Sequence, residues 1–169
     1  NLLKQIVSDA RLAETLLVWN EQLVKYGSEV IRARKAFVGE LNSLVGPVHS
    51  RLCGGREELK LCYEPNIKED DFLEALSRDK EKELILKSTL HGPHRDDISF
   101  CLDGEDIRKF GSQGQQRTSA LSLKLAEIEL VKRKIKDDPV LLLDDVLSEL
   151  DRNRQTQLLD SIKDIQTII

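Results

Sequence analysis

Two neighbouring carboxylates close a short apolar run in the last third of the chain. Residues 141–143 are all leucine, and Asp144 and Asp145 follow them directly. A buried strand that ends in carboxylates puts negative charge at the C-terminal edge of a sheet, where α/β proteins bind ligands. One carboxylate would suit Mg²⁺, which takes hard oxygen ligands and keeps several waters, and the other could orient or deprotonate a water. In the structural alternative Asp145 only caps the next turn, and this motif alone is a weak signal.

A glycine-containing segment, Phe-Gly-Ser-Gln-Gly-Gln-Gln-Arg at residues 110–117, stands directly before a predicted helix. Glycine lets a backbone approach a ligand closely, and a helix N-terminus offers unpaired N–H groups to a phosphate. Ser112 could donate to a phosphate oxygen. The simpler interpretation is an ordinary helix start with Ser112 as its cap, and the segment taken alone slightly favours that interpretation.

A third segment, Ser-Glu-Leu-Asp at residues 148–151, follows the acidic pair at a short distance. Its last residue, Asp151, stands just before a predicted helix, so capping is again the structural alternative. The segment therefore gains functional meaning only from its position relative to the other two.

The spacing of apolar residues predicts the elements that would position these segments. Steps that alternate between four and three residues predict one long helix from Leu12 to Val48, with Gly46-Pro47 as the first terminator. The apolar stripe of this helix consists of Leu12, Leu16, Trp19, Leu23, Tyr26, Val30, Ala33, Phe37, Leu41 and Leu44. A highly charged stretch at residues 69–82 is also predicted to be helical.

The rest of the chain is predicted to mix strands and helices. Strands are expected at residues 59–63, 84–90, 98–102, 140–143 and 165–169, and helices at residues 115–136 and 152–163. Asp103-Gly104 is a strong hairpin signal, and the run at 140–143 suits a strand buried on both faces of a parallel sheet. The helix at 115–136 would turn inward Leu121, Leu125, Ile128, Val131 and Ile135. The last third therefore has an α/β pattern.

Composition excludes some classes of protein. The chain has 169 residues with a formal net charge of -4, so it is not a uniformly basic nucleic-acid binder, although a local basic face is compatible with that sum. No apolar run approaches the ~18 residues of a membrane span, so no membrane partner is expected. The three cysteines are odd in number and lack CxxC spacing, which indicates free thiols in a reducing cytoplasm. The absence of methionine and the ending inside a predicted strand indicate a portion of a longer protein.

Taken in order, the three segments resemble the head of an ABC-type ATPase. By this resemblance Asp144 matches the Walker B aspartate, a metal-binding residue. Asp145 stands in the catalytic position, where most members have glutamate, and Ser148 and Asp151 look like parts of the D-loop. The residues that match the nucleotide-contacting signature segment are Ser112, Gln113, Gly114, Gln115, Gln116 and Arg117.

The resemblance narrows to the RecF family of bacterial DNA-repair proteins. Residues 89–97, 111–118 and 142–151 are similar to that family almost residue for residue, and aspartate at position 145 also suits it. The segment Trp-Asn-Glu-Gln-Leu at residues 19–23 and the helix that follows are similar to its helical second domain. The resemblance thus implies a mainly helical arm domain at residues 1–82, with strand 59–63 assignable to arm or head. Residues 83–169 would form the C-terminal lobe of the ATPase head.

The family resemblance also implies a mechanism for the whole protein. Two subunits would sandwich two ATP molecules with Mg²⁺, and each site would use the Walker motifs of one subunit and the signature of the other. Ser112 would contact the γ-phosphate across this homodimer, and Asp145 would support a slow, DNA-dependent hydrolysis.

The implied partners are DNA at gaps or single-/double-strand junctions, and RecO and RecR. Together they would load the recombinase RecA in the bacterial cytoplasm, at the nucleoid, in DNA replication, recombination, repair and the SOS response. His94 and Arg95 are candidate contacts to nucleotide or DNA. The basic residues Lys124, Lys132, Arg133, Lys134 and Lys136 favour a solvated helix face, with DNA phosphates as the alternative that the family raises.

The chain alone is expected neither to bind nor to hydrolyse ATP. No G-x-x-x-x-G-K-[ST] segment occurs in its 169 residues, and the switch residue expected after the final predicted strand is also missing. Without that glycine-rich loop no backbone cradle holds the phosphates. Calorimetry of this chain should therefore detect no ATP affinity at millimolar ATP, and Mg²⁺-dependent binding below millimolar would contradict the expectation.

Two interpretations from other classes remain open on the residues alone. A metal-dependent hydrolase would use Asp144, Asp145 and the pair His91 and His94, or a metal would be held by His91, His94, Asp96 and Asp97. Those last four fall on a Gly-Pro turn rather than one helical face, which disfavours joint ligation and favours a turn where Arg95 pairs with carboxylates or contacts a ligand. A non-catalytic module would instead use the helical arm to bind a partner. The family motifs weigh against both classes.

Overall fold

The computed structural model describes residues 2–6, 10–135, 139–144, 151–163 and 165–168. The chain forms two compact units, one of Asn1–Ala36 with Tyr63–Ile98 and one of Phe37–Cys62 with Ser99–Ile169. The domain boundary expected at residue 82 stays a prediction. Within the described residues, no helix is both long enough and apolar enough to cross a bilayer.

The longest element, helix α2, runs from Leu16 to Cys53 and continues through Pro47. The prediction that Gly46-Pro47 ends the helix was therefore wrong. A proline inside a helix costs about 3 kcal/mol. The neighbours Val45, Val48 and Leu52 are almost completely buried, and each such side chain contributes about 1.5–3 kcal/mol, so their burial outweighs the proline.

The end of α2 lies at two glycines that adopt left-handed backbone angles. Gly54 and Gly55 have φ of 65° and 72°, and the Gly55 N–H donates to the Ser50 carbonyl at 2.8 Å. Such a left-handed glycine cap satisfies carbonyl groups that the last helical turn leaves unpaired. The turn reverses the chain, so that residues following it return towards the end of α2.

The predicted apolar stripe of α2 is only partly buried. Leu16, Leu41 and Leu44 belong to the core, whereas Trp19, Tyr26, Val30 and Phe37 expose between 40% and 60% of their surface. Steps of four and three give a period of 3.5, and a straight helix drifts by ~20° per heptad from that period. Over 38 residues the drift carries part of the stripe off the packed face.

Two glycines of α2 are expected to respond oppositely to alanine. A Cβ at Gly27 would lie 2.7 Å from Phe72 Cε1, a fully buried ring, so Gly27→Ala should lower the free energy of unfolding by about 1–3 kcal/mol. A Cβ at Gly39 would meet nothing within 4 Å, so Gly39→Ala should raise it by about 0.8–1 kcal/mol. Urea unfolding of both variants tests this, and equal effects of the two substitutions would contradict it.

The first unit packs short helices against the start of α2. Helix α1 covers Leu2–Ile6 and precedes a 3₁₀ turn at Ala10–Thr15, and α3 and α4 cover Phe72–Arg78 and Lys80–Leu86. One buried cluster in this unit consists of Ile31, Phe72 and Leu76, and another of Leu3, Ile6 and Leu16. The charged stretch at residues 69–82 is therefore helical as predicted.

The strand predicted at residues 84–90 was wrong, because α4 continues to Leu86 and ends at Lys87 with φ of 53°. Leu84 packs against the cluster of Leu3, Ile6 and Leu16. The buried carboxylate of Glu83 accepts a hydrogen bond from the Leu90 N–H at 2.7 Å. A helical turn thus satisfies both the apolar and the polar side chains of this segment.

Strands β1 (Leu59–Glu64), β2 (Asp97–Leu102) and β3 (Glu105–Asp106) form a sheet in the order β1-β2-β3. The predicted hairpin is confirmed, since Leu102 pairs with Glu105 in antiparallel register. Its turn residues Asp103 and Gly104 both have positive φ, at 50° and 89°, as a tight type I′ turn requires.

The remaining elements of the second unit carry the predicted α/β pattern. Helix α5 covers Ile107–Phe110, α6 covers Gln113–Ile135 and α7 covers Arg152–Ile162. Strand β4 (Leu141–Leu142) pairs in parallel with β5 (Thr167–Ile168). In α6, Leu121 and Leu125 are buried as expected, but Ile135 is exposed.

The expectation that the leucine run is buried on both faces was wrong. Leu141 and Leu143 are buried, whereas Leu142 exposes 70% of its surface. Side chains alternate between the faces of a strand, so in the described residues one face of β4 is packed and the other is open. An unbroken apolar run therefore overstated the burial of this strand.

Candidate functional site

The segment predicted to contact nucleotide begins helix α6 with a reciprocal pair of hydrogen bonds. The Gln115 N–H donates to Ser112 Oγ at 3.3 Å, and the Ser112 N–H donates to Gln115 Oε1 at 2.8 Å. This is a capping box, so the structural interpretation of Ser112 holds in this conformation. The cap uses a lone pair of the hydroxyl group, and the O–H of this exposed serine can still donate to an anion.

The turn before α6 is fixed on the preceding helix α5. A Cβ at Gly111 would lie 2.4 Å from Ile107 Cγ1 and 2.6 Å from the Ile107 carbonyl oxygen, so only glycine fits there. The Gln116 side-chain amide donates to the carbonyls of Ile107 and Gly111, each at 3.2 Å. The start of the signature segment is therefore held in one position by steric and polar contacts.

Gln115 also connects the signature segment to the end of helix α2. Its side-chain amide donates to Glu57 Oε1 at 3.0 Å. Glu57 Oε2 lies 3.5 Å from His49 Nε2, and the same nitrogen lies 3.3 Å from Cys53 Sγ. A polar group that is largely enclosed by protein thus stands directly behind the signature segment.

The connection continues from His49 back into α6. His49 Nδ1 lies 2.8 Å from Ser122 Oγ, and the Ser122 hydroxyl donates to the Thr118 carbonyl at 2.7 Å. The Thr118 hydroxyl in turn donates to the Gly114 carbonyl at 2.7 Å. His49, Thr118 and Ser122 are buried, so these hydrogen bonds fix the first turns of α6 relative to α2 within one unit.

Burial and hydrogen bonding set the protonation of this group. Burial lowers the pKa of His49 below its usual value, although Glu57 opposes the effect. Burial and the contact with Glu57 raise the pKa of the Cys53 thiol to about 12. Burial opposes ionisation of Glu57, but Gln115 and Cys53 beside it hold its pKa below the usual value. The ionised form of Glu57 is therefore favoured next to a neutral imidazole and a protonated thiol.

The predicted Walker B and D-loop residues are only partly described. Asp144 is exposed and lies two residues after the last residue of β4, beyond the C-terminal end of a strand in a parallel pair, as the sequence predicted. Asp145 and Ser148 lie outside the described residues. Asp151 caps α7, since its Oδ1 accepts from the Arg154 N–H at 3.0 Å.

Arg154 brings the D-loop residue and the signature helix together. Its Nη1 lies 3.5 Å from Asp151 Oδ2, and the same nitrogen would lie 3.0 Å from a Cβ at Gly114. Cys53, Glu57, Asp151 and Arg154 all line one cavity of about 550 Å³. The structure thus places Gly114 of the predicted signature segment and Asp151 of the predicted D-loop on the two sides of one arginine.

The His/Asp segment at residues 91–97 does not gather around one point. His91 Nε2 lies 2.8 Å from Asp79 Oδ2, and the His94 ring lies 3.2 Å from the Thr89 carbonyl oxygen. Arg95 also donates to the Thr89 carbonyl, at 3.3 Å, and no bond from it to a carboxylate is seen among the described residues. These side chains have separate partners, which disagrees with a shared metal site.

Asp96 instead organises its own turn in the first unit. Its carboxylate accepts from the Asn66 N–H at 2.9 Å, from Arg34 Nη1 at 3.0 Å and from the Tyr63 hydroxyl. Burial and the bond to Asp96 raise the pKa of Tyr63 to about 12. Asp96 thus has structural partners, and the contacts predicted for His94 and Arg95 with nucleotide or DNA stay predictions.

Sequence reasoning missed three residues of the candidate site, namely His49, Glu57 and Arg154. The spacing His-x-x-x-Cys at positions 49 and 53 was a usable signal, since residues four apart share a helix face, whereas Glu57 lies beyond the Gly54-Gly55 turn and gave no such signal. It was passed over because the helix was expected to end before His49. Arg154 carried no motif signal, since its role depends on tertiary contact with Gly114.

Comparison with known proteins shows which proteins this chain is similar to. No protein-family model matches the chain. It is 57% identical over its whole length to the DNA replication and repair protein RecF of Lachnoclostridium phytofermentans, of which it covers 47%. It is 41% identical to the protein of the same name from Bacillus mycoides, of which it covers 48%. The chain therefore spans about half the length of these relatives.

Two solved structures are similar to this chain in fold. The structure of the recombination mediator protein RecF-ATP in the RecFOR pathway matches 99% of this chain with a TM-score of 0.86 and 32% identity. The corresponding RecF-ATPrS structure matches with a TM-score of 0.85 and 33% identity. Each match covers 47% of the solved chain. These matches confirm the predicted fold class, an α/β lobe of an ABC-type ATPase head with a long-helix arm.

Proposed function

Because the chain belongs to the RecF family and matches the C-terminal portion of its members, we propose that it supplies the signature, Walker B and D-loop segments of a DNA-repair ATPase. The activity belongs to a protein of full RecF length that contains this chain (the full-length protein). There the signature segment contacts the γ-phosphate of an ATP molecule held by a second subunit. Two subunits thus close around two nucleotides and separate after hydrolysis.

The rigid start of helix α6 is the observation that carries this proposal. Ser112 and Gln115 cap the helix reciprocally, and Gln115 is held by Glu57 at 3.0 Å. A preorganised helix N-terminus presents N–H groups to an anion without reordering on binding. An ordinary helix cap would gain nothing from the Glu57 contact behind it, whereas a phosphate-contacting helix needs that fixed orientation.

The nucleotide and metal in this proposal are ATP and Mg²⁺. ATP is supported by relatives whose solved structures carry ATP and ATPrS. Asp144, exposed at the end of β4, suits Mg²⁺ because a carboxylate is a hard oxygen ligand. Asp145 would orient or deprotonate the attacking water, and Ser148 and Asp151 would belong to the D-loop.

The partners in this proposal are DNA at gaps or junctions, RecO and RecR, and the outcome is loading of RecA. The full-length protein would meet these partners at the nucleoid, in the bacterial cytoplasm. The solved relative is a recombination mediator of the RecFOR pathway, which supports RecO and RecR as partners. On α6, Lys124 and Arg133 are paired with glutamates on the same helix, at 3.2 and 2.7 Å, which favours the solvated-face interpretation of these two residues over DNA contact. His94 and Arg95 remain candidate contacts to nucleotide or DNA.

Gly114→Ala in the full-length protein tests the signature role separately from stability. The added Cβ would meet only the flexible end of Arg154, at 3.0 Å, and alanine is favoured over glycine in a helix by about 0.8–1 kcal/mol. The thermal midpoint should therefore be unchanged or higher. ATP-dependent association should weaken about tenfold or more, equivalent to ~1.4 kcal/mol, because a methyl group stands where the phosphate approaches.

Gly39→Ala is the matched control, since it makes the same change in a helix with open space around it. It should leave association unchanged. If Gly114→Ala associates with ATP as tightly as this control, the close approach of nucleotide to Gly114 is wrong.

A further inference from the structure

Three side chains with metal-ligating atoms converge at the C-terminal end of α2. The ligand atoms of His49, Cys53 and Glu57 all lie within 4.8 Å of one another, and this is the one such group found among the described residues. We propose that these three residues bind a transition-metal ion, with Zn²⁺ the best fit. The proposed site is distinct from the Mg²⁺ and nucleotide site, because none of its residues belongs to the signature, Walker B or D-loop segments.

Two of the three distances between the ligand atoms match tetrahedral coordination. Zn–N and Zn–O bonds of about 2.0–2.2 Å and a Zn–S bond of about 2.3 Å at tetrahedral angles separate the ligand atoms by about 3.3–3.6 Å. His49 Nε2 lies 3.3 Å from Cys53 Sγ and 3.5 Å from Glu57 Oε2. An ion can therefore be bound without rearranging the backbone.

The hydrogen bonds around His49 leave the correct nitrogen available for a metal. The Ser122 hydroxyl donates to the Thr118 carbonyl, so its oxygen accepts from His49 Nδ1 at 2.8 Å. The proton of a neutral imidazole is thus on Nδ1, and the lone pair of Nε2 points towards Cys53 and Glu57. A ligating histidine usually has such a partner on its other nitrogen, which fixes the ring for the metal.

One buried oxygen in the group has no hydrogen-bond partner among the described residues. That oxygen is Glu57 Oε2, whereas its sister oxygen accepts from Gln115. A buried polar atom without a partner costs about 1–3 kcal/mol. The imidazole nitrogen that it faces, His49 Nε2, is in contact with the Cys53 thiol at 3.3 Å. A bound cation would give the oxygen a partner and would replace the thiol proton at the nitrogen.

The chain geometry at the end of α2 is what assembles this site. His49 and Cys53 are one helical turn apart at the end of α2, and the left-handed Gly54-Gly55 turn brings Glu57 back beside them. Cys53 and Glu57 also line the cavity of about 550 Å³, so water can supply the fourth ligand from that side. Zn²⁺ accepts such mixed nitrogen, sulfur and oxygen ligands. Because only the thiolate ligates a metal, binding would break the Cys53 S–H bond and release its proton to water in the cavity.

Metal binding at this site would fix the orientation of the signature segment. A metal on Glu57 Oε2 holds the carboxylate whose other oxygen accepts from Gln115 at 3.0 Å. The ion would thus act as a structural clamp between the end of α2 and the first turn of α6. Metal binding can be measured directly, whether or not it changes the orientation of the signature segment.

Titration of the full-length protein with Co²⁺ and Zn²⁺, after reduction and removal of metal by a chelator, tests the proposal. Co²⁺ should give the ligand-field bands of a tetrahedral site and a thiolate charge-transfer band, and Zn²⁺ should displace it. Cys53→Ser should abolish the charge-transfer band, and His49→Gln and Glu57→Gln should weaken binding. Ser122→Ala should lower Zn²⁺ affinity about 10–100-fold, the usual cost of losing an outer partner.

Cys62→Ser and Cys101→Ser are the matched controls, because these two thiols lie 3.5 Å apart and remote in sequence from His49. They should keep the band. Zn²⁺ should raise the thermal midpoint of the wild type and these controls, but not that of Cys53→Ser. Absence of a thiolate band in the wild type, its survival in Cys53→Ser, or its loss only with Cys62 or Cys101 would each overturn the proposal.

Discussion

Ser112→Arg in the full-length protein is expected to abolish ATP-dependent dimerisation while ATP binding to the single subunit stays nearly intact. Ser112 is exposed at the first turn of α6, where the proposal places the γ-phosphate of the second subunit. An arginine there would fill the space that the closing interface needs. Light scattering with and without ATP measures the effect as a change from dimer to monomer.

Ser112→Ala is the control for the capping role of the same residue. It removes the oxygen that accepts from the Gln115 N–H, and loss of such a cap costs typically ~1 kcal/mol. Both variants should show a similar drop in thermal midpoint, but only the arginine variant should block dimerisation completely. An arginine variant that still dimerises with ATP would remove the signature role from Ser112.

Asp145→Asn is expected to keep ATP binding and dimerisation but to slow hydrolysis strongly. The amide keeps the shape of the carboxylate and removes its basic oxygen, and losing a general base typically slows a reaction by about 10²–10⁴-fold. Single-turnover hydrolysis by the full-length protein with Mg²⁺ and DNA measures this step directly.

Asp151→Asn makes the same chemical change as Asp145→Asn at an aspartate outside the proposed general-base position, where it caps α7. Asparagine is also a good cap, so this variant should keep its stability. An unchanged single-turnover rate in Asp145→Asn would show that Asp145 does not activate the attacking water.

Predictions from local sequence were correct where neighbouring residues alone determine the structure of a turn, cap or strand. Asp103-Gly104 predicted the hairpin because both residues tolerate positive φ. Ser112 was predicted as a possible cap of α6 because serine is a favoured N-cap residue, and its reciprocal bond with Gln115 became visible only in the structure. The alternation of helices and apolar runs in the last third predicted an α/β pattern with a parallel sheet, and β4 and β5 are indeed parallel.

Predictions failed where tertiary packing outweighed local preference. Pro47 did not end α2, because Val45 and Val48 are buried beside it. The segment at residues 84–90 was expected to be a strand. The buried Glu83 carboxylate instead accepts a hydrogen bond from the Leu90 N–H, which favours a helical turn. Local propensity is a weak prior that such contacts override.

In the candidate site, too, residues whose role depends on tertiary contacts were not predicted. The signature residues were predicted from their order and spacing along the chain, and their role stays a prediction. Glu57 was not identified, because its contact with Gln115 joins residues 58 positions apart. Arg154 was missed for the same reason, since only the fold brings it beside Gly114.

The central claim is that one ATP is bound jointly by two subunits, and its most direct test is the ATP affinity measured at several concentrations of the full-length protein. If nucleotide contacts both subunits, binding and dimerisation are linked and each must strengthen the other. The measured affinity should therefore rise as the protein concentration passes through the dimerisation range, and Ser112→Arg should remove this dependence. An ATP affinity that does not change with protein concentration, while ATP-bound dimers are present, would contradict the claim.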